Sequence, residues 1–180
     1  KLARDRQMRV SADDIILADG SSQPLHMVGE SLLDPGDVVL AEEFVYVGTL
    51  GMLRRFGADT RGVECDEDGM LPDALEGAIT LAIGQGKKPK FIYTIPTFQN
   101  PLGWTMTLER RQRVLEITRQ HGIPVFEDDC YVDLRFSGED VTSFHSLDES
   151  GQVIYIGSFS INYIVTIDCF ALSSADFDFS

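Results

Sequence analysis

The stretch Phe91-Ile92-Tyr93-Thr94-Ile95-Pro96-Thr97-Phe98-Gln99-Asn100 decides how the rest of the chain is read. Phe91 to Ile95 form a strand-type run, and Pro96 cannot donate to a ladder, so the strand ends there and a polar loop begins. On the upstream side Leu71, Leu75, Ala78, Ile79 and Ala82 mark one face of a helix that stops at Gly84-Gln85-Gly86. On the downstream side Thr107 is a natural N-cap for a helix carrying Leu108, Val114, Leu115 and Thr118, ending at His121-Gly122. The same alternation continues in both directions. Asp14-Ile15-Ile16-Leu17, Val38-Val39-Leu40, Val125-Phe126 and Val153-Ile154-Tyr155-Ile156 read as strands, with a weaker one at Gly62-Val63-Glu64-Cys65. Leu25, Val28, Gly29, Leu32 and Leu33 recur at helical spacing until Asp34-Pro35-Gly36-Asp37, and residues from about Tyr46 to Phe56 form a further helix. Strands alternating with helices predict the α/β class: a mostly parallel sheet with right-handed crossovers and helices on both faces.

Composition narrows the function. A chain of 180 residues, 43% of them hydrophobic, can bury one substantial core. The 29 acidic against 15 basic residues give a net charge of -14, which argues against a nucleic-acid or anionic-membrane surface, so a phosphate ligand must be met locally. Cys65, Cys130 and Cys169 are odd in number and widely spaced, as reduced thiols of a cytoplasmic protein would be. Neither a signal segment nor a membrane-spanning run is apparent. Lys1-Leu2-Ala3-Arg4 reads as the tail of a helix already under way, so the chain is expected to be a fragment.

In such a sheet, ligands bind beyond the carboxyl ends of the strands. The loops there are Asp19-Gly20-Ser21-Ser22, Glu42-Glu43-Phe44-Val45-Tyr46, Pro96-Thr97-Phe98-Gln99-Asn100, Glu127-Asp128-Asp129-Cys130-Tyr131 and Gly157-Ser158-Phe159-Ser160. They hold nearly all the unusual residues of the chain.

Together these loops resemble the large domain of fold-type I pyridoxal-phosphate enzymes, the class I/II aminotransferases, and within them the aminoadipate and kynurenine aminotransferase branch. The resemblance covers residues 1 to 160. It is carried by Thr94 to Gly103, by the Arg110-Arg111 pair and by Glu127 to Tyr131, in that order and spacing. It implies pyridoxal 5'-phosphate as cofactor, amino acid and 2-oxo acid substrates in the parent protein, and a homodimer. Asp128 resembles the carboxylate that pairs with the pyridine nitrogen, where an anion keeps that nitrogen protonated; the alternative is an acidic turn facing water. Asn100 and Tyr131 resemble the pair that hydrogen-bonds the cofactor's phenolic oxygen. Tyr46 falls where the family stacks an aromatic ring on the pyridine, although Phe44 replaces the usual proline; offset stacking is worth about 0.5–1.5 kcal/mol beyond burial. Tyr46 could otherwise be an ordinary core aromatic. Ser21 and Ser22, opening a helix, suit a phosphate, since free N–H groups and the positive helix end favour an anion, though both could be routine caps. Ser158 and Ser160 would add hydroxyls to the same phosphate.

At residue 161 the resemblance breaks. The family places there the lysine that carries the cofactor as a Schiff base and then shuttles a proton, and Ile161 can do neither. Seven residues further on, a phosphate-clamping arginine is replaced by Asp168. Residues 161–180 are therefore expected to be a non-matching tail, disordered or frame-shifted, and no catalytic residue is assigned. The chain is expected to be an inactive fragment of an aminotransferase. Two alternatives are the aminotransferase-like effector domain of a transcriptional regulator, against which Asn100 weighs, and a lysine-less pseudoenzyme that holds the cofactor non-covalently.

Other motifs give less. Asp66-Glu67-Asp68-Gly69 hints at a calcium loop, but the closing acidic ligand would fall on Leu75, so it is a solvated turn. Gly84-Gln85-Gly86 precedes a strand and lacks a third glycine. Asp128 with Asp129 could hold magnesium, which would leave Asn100 and Tyr131 without a role. His26, His121 and His145 show no metal or triad spacing.

Overall fold

A computed structural model describes residues 6–158 and 168–172. Its main sheet has seven strands in the order β1-β9-β8-β7-β6-β2-β3. These strands are β1 (Ile15–Ala18), β2 (Val38–Glu42), β3 (Asp59–Val63), β6 (Phe91–Thr94), β7 (Val125–Asp128), β8 (Val153–Ser158) and β9 (Asp168–Leu172). A separate two-stranded ribbon pairs β4 (Cys65–Asp66) with β5 (Gly69–Met70). Pairings β3/β2, β2/β6, β6/β7 and β7/β8 are parallel, and β9 runs antiparallel to both β8 and β1. The α/β, mostly parallel architecture is the one the alternating pattern predicts.

Of the stretch 161–180, Asp168–Leu172 form the strand that joins β1 to β8. For those five residues the expectation of a disordered tail is corrected: backbone pairing on both edges places them in the sheet. Ser160 and Ile161 lie outside the described residues, as does the rest of that stretch.

The helices are α1 (Ser22–Leu32), α2 (Val47–Arg55), α3 (Pro72–Gly84), α4 (Leu108–His121) and the short α5 (Phe144–Leu147). Alternation along the pleat divides the core in two. Val39, Ala41, Phe91, Tyr93, Phe126, Ile154 and Ile156 pack with Leu25 and Val28 of α1 and Met52 and Leu53 of α2, on what we term the front face. Val38, Leu40, Ile92, Val125 and Val153 pack with Leu75 and Ile79 of α3, Val114 and Leu115 of α4, and Phe144 of α5, on the back face. Burial on both sides explains why these strands read as unbroken apolar runs. The ends of α4 follow their sequence signals: the Thr107 hydroxyl accepts from the Arg110 amide at 3.4 Å, and Gly122 closes the helix at φ 57°, ψ 48°.

Candidate functional site

The strand registers bring five loops to one edge of the sheet. Ala41 pairs with Tyr93, Thr94 with Glu127, and Asp128 with Ile156, so β2, β6, β7 and β8 all release their loops on the same side. Asp168 stands in register with both Ser158 and Ala18, which makes β1 parallel to β8 and adds the Asp19–Ser22 loop to that edge.

On the front face the central piece is Asp128. It is buried, which removes the alternative of an acidic turn facing water. The Tyr93 hydroxyl donates to its Oδ2 at 2.5 Å, and the Thr49 hydroxyl of α2 donates to Tyr93 at 3.0 Å. Burial first and the neighbouring Asp128 charge second hold the Tyr93 phenol well above its ordinary pKa, so it remains a donor. This chain fixes the carboxylate and ties it to the first turn of α2, where Tyr46 is the N-cap. Asn100 Nδ2 donates to the Tyr131 hydroxyl at 3.3 Å, which brings these two side chains together. The loop bearing Asn100 is strained, with Phe98 at φ 51°, steadied by its amide bond to Thr105 Oγ1 at 3.3 Å.

Tyr46 is 41% exposed, so it is not an ordinary core aromatic. Its ring lies over Gly48: a Cβ added there would sit 2.7 Å from Tyr46 Cζ. Ser21 holds the N-cap position of α1 without a side-chain cap bond, and Ser22 is the first helical residue, so Ser21 is not the routine cap it could have been. Gln23 Oε1 instead accepts from the Asp19 amide at 2.6 Å, shaping the turn before the helix. Ser158 ends β8 in phase with Ile154 and Ile156, on the front face.

The back face carries different chemistry. Glu127 accepts from the Phe144 and His145 amides at 2.8 and 2.9 Å, with Arg111 Nη1 at 3.9 Å. Burial, then the Asp129 charge, push its carboxyl up to about 8, against the pull of Arg111. The fully buried Arg111 donates to the carbonyls of Met106, Pro96 and Thr142 and to Thr97 Oγ1. Asp129 accepts from the Tyr155 hydroxyl at 3.4 Å, and burial raises its pKa. The neighbouring carboxylates weighed as a magnesium pair therefore engage opposite sides of the sheet. The acidic turn at Asp66 is the β4–β5 ribbon, where Arg110 meets the Asp66 carboxylate with both guanidinium nitrogens at 3.1–3.2 Å.

Glu42, Thr49, Tyr93 and the placement of Gln99 escaped sequence reasoning, because only strand register shows that β2 and β6 adjoin and that Tyr93 reaches Asp128. The donor set suits pyridoxal phosphate: a buried carboxylate for a protonated ring nitrogen, an amide–phenol pair for a phenolic oxygen, and serine hydroxyls beside a helix N-terminus for a phosphate.

Comparison with known proteins supplies the remaining observation. The family model described as aminotransferase class I and II matches residues 1–166. Aromatic-amino-acid aminotransferase 1 of Thermococcus litoralis is 40% identical over 151 residues, 84% of this chain and 36% of the relative. Among solved structures, an archaeal alanine:glyoxylate aminotransferase superposes with a TM-score of 0.91 at 37% identity, over 98% of this chain and 44% of that one. A Pyrococcus horikoshii kynurenine aminotransferase, solved in complex with PMP, superposes with a TM-score of 0.89 at 35% identity, over 96% and 43%. The chain thus spans a little over a third of the length of the first of these. Among the described residues no helix is long and apolar enough to cross a membrane.

Proposed function

Because the chain belongs to the aminotransferase class I and II family, we propose that it is a portion of an enzyme that moves an amino group from an amino acid to a 2-oxo acid, with pyridoxal 5'-phosphate held at the carboxyl edge of its sheet. The observation that carries this is the 3.3 Å contact between Asn100 and Tyr131 at the edge where buried Asp128 ends its strand. When bound, the cofactor supplies an electron sink for the substrate. Asp128, fixed by Tyr93 and Thr49, keeps a proton on the ring nitrogen. Asn100 and Tyr131 direct hydrogen bonds at the phenolic oxygen, and Tyr46 covers the ring. Ser21, Ser22, Ser158 and Ser160 receive the phosphate.

Ile161 has no group able to hold the cofactor covalently or to carry a proton, so this chain is proposed to be inactive as it stands. The parent is proposed to be a cytoplasmic homodimer; the exposed Phe44, Tyr46 and Val47 at the site's edge support a covered surface there. Titration of the purified chain with pyridoxal phosphate, followed by absorbance and then borohydride, tests both parts. Saturable binding that leaves no covalent label after reduction is expected. Absence of binding would remove the cofactor site, and amino transfer above that of free cofactor would remove the claim of inactivity.

A further inference from the structure

At the end of β2, on the back face, Glu42 is 3% exposed and its carboxylate has three donors. Thr94 Oγ1 donates to one oxygen at 2.7 Å, while the Ile95 amide and Gln99 Nε2 donate to the other, both at 3.2 Å. Gln99 fastens more than Glu42. Its Nε2 also donates to the Phe44 carbonyl, its Oε1 accepts from the Leu102 amide at 2.9 Å, and its backbone closes a turn with the Trp104 carbonyl at 2.8 Å and the Gly103 amide at 2.5 Å. One glutamate and one glutamine therefore clamp the loop after β2, which bears Tyr46, to the loop after β6, which bears Asn100.

We propose that Glu42, acting through Gln99, is a positioning residue that sets where Asn100 and Tyr46 stand at the site. This rests on the cofactor reading given above. A carboxylate accepts all three hydrogen bonds at once; a proton on the oxygen facing Thr94 can be passed to that hydroxyl, which also accepts, whereas a proton on the oxygen shared by the Ile95 amide and Gln99 Nε2 meets two groups that only donate, and the clamp on Gln99 then loosens. Burial pushes the Glu42 carboxyl up to about 7, while its bonds to Thr94, Ile95 and Gln99 pull it down and the Asp128 charge adds slightly to the rise. The charged and titratable groups facing it are Asp128 from β7, Cys65 from β4, whose thiol burial pushes up to about 12, and the adjacent Glu43. The clamp therefore holds fully when Glu42 is ionised and loosens when the oxygen it offers to Gln99 is protonated.

The single tryptophan of the chain, Trp104, lies on the clamped loop and lines a small cavity with Glu42, Gln99, Leu102 and Met106, so its emission reports the clamp directly. In the full chain without added cofactor, Trp104 emission is expected to move to longer wavelength as pH falls, with a midpoint near the 7 given for Glu42. That step is expected to vanish in Glu42→Gln and in Gln99→Ala. A step that persists unchanged in both variants, or a flat wild-type profile, would overturn the proposal. In a titration with pyridoxal phosphate, Glu42→Gln and Asn100→Ala are each expected to weaken binding roughly tenfold, with no further loss in the double variant. Additive losses would show that Glu42 does not act through Asn100. Should the wild-type chain bind no pyridoxal phosphate, the cofactor reading falls, while the emission profile still decides whether the clamp exists.

Discussion

Glu127 and Asp128 are consecutive in the chain and serve opposite faces of the sheet. Asp128 faces the α1–α2 side and accepts a hydrogen bond from Tyr93. Glu127 faces the α3–α4 side, where two amides and the Arg111 guanidinium surround it. The same division holds for Tyr93 against Thr94 on β6 and for Ala41 against Glu42 on β2. A pleat that alternates every residue allows one edge to carry a ligand-facing row and, directly behind it, a row of buried ionisable groups that brace the loops. On the function proposed above, the front row meets the cofactor; the charge of Glu127 on the back row is met inside the protein.

The largest test of that division is Arg111→Ala. Arg111 ties the carbonyls of Met106, Pro96 and Thr142 and is the guanidinium nearest Glu127. Removing the guanidinium leaves three buried carbonyls short of a donor, at about 1–3 kcal/mol each before relaxation, so a total on the order of 3–5 kcal/mol. Urea unfolding of the variant is expected to show a loss of that size, and a loss below about 1 kcal/mol would mean that the back row is not a brace.

Next in size is the pH dependence of stability. Burial raises Glu42 to about 7 and Glu127 to about 8 from an ordinary value of 4.5. A carboxyl with a raised folded-state pKa contributes its full stability below the unfolded value and loses it as pH rises through the folded one. The exposed Asp59 and Asp66, whose arginine partners lower their pKa, stay ionised in both states above pH 6 and leave this window untouched. Stability is therefore expected to fall on the order of 3 kcal/mol between about pH 6 and 8 and to level off above the folded-state values. The slope is expected to persist in Asp128→Asn and to flatten in Glu42→Gln and Glu127→Gln. A slope that vanished in the front-row variant instead would invert the assignment.

Substituting the two neighbours individually sharpens the contrast. Glu127→Gln turns an amide N–H₂ towards one of two backbone donors, and is expected to cost about 1–3 kcal/mol of stability while leaving pyridoxal phosphate binding unchanged. Asp128→Asn keeps an oxygen for Tyr93 to donate to, so stability is expected to move by less than about 1 kcal/mol while binding weakens roughly tenfold or more. Equal effects of both changes on binding would erase the distinction between rows.

How much of this was legible in the sequence follows from the same geometry. The strands at Phe91, Val125 and Val153 and the capped helix after Thr107 announced themselves through local chemistry: proline, cap, terminal glycine and apolar runs. Asn100, Tyr131 and Asp128 could be named because the motifs that hold them resemble those of a known family. What periodicity cannot carry is strand order. Nothing local tells that β2 lies against β6, so Glu42 read as one acid of a loop, and Tyr93 read as a strand residue with no partner. The strand at Asp168–Leu172 was missed because its reason for existing is the pairing with β8 and β1 on either side, not a signal of its own.

The smallest effect concerns the rim of the front row and separates stability from binding by sign. Gly48 lies in the first turn of α2 beneath the Tyr46 ring, and a methyl group there would reach within 2.7 Å of Tyr46 Cζ. Tyr46 is half exposed, so its ring can swing outward at little cost, and alanine is the better helix former by about 0.5–1 kcal/mol. Gly48→Ala is thus expected to leave unfolding unchanged or raise its midpoint slightly. The displaced ring can no longer cover the pyridine, and since such stacking is worth about 0.5–1.5 kcal/mol, pyridoxal phosphate binding is expected to weaken roughly two- to tenfold. Tyr46→Phe retains the ring and is expected to bind within about twofold of the wild type, because stacking does not use the hydroxyl. Weaker binding in Tyr46→Phe than in Gly48→Ala would show that Tyr46 works through its hydroxyl, and the rim would then belong to the same hydrogen-bonding set as Asn100 and Tyr131.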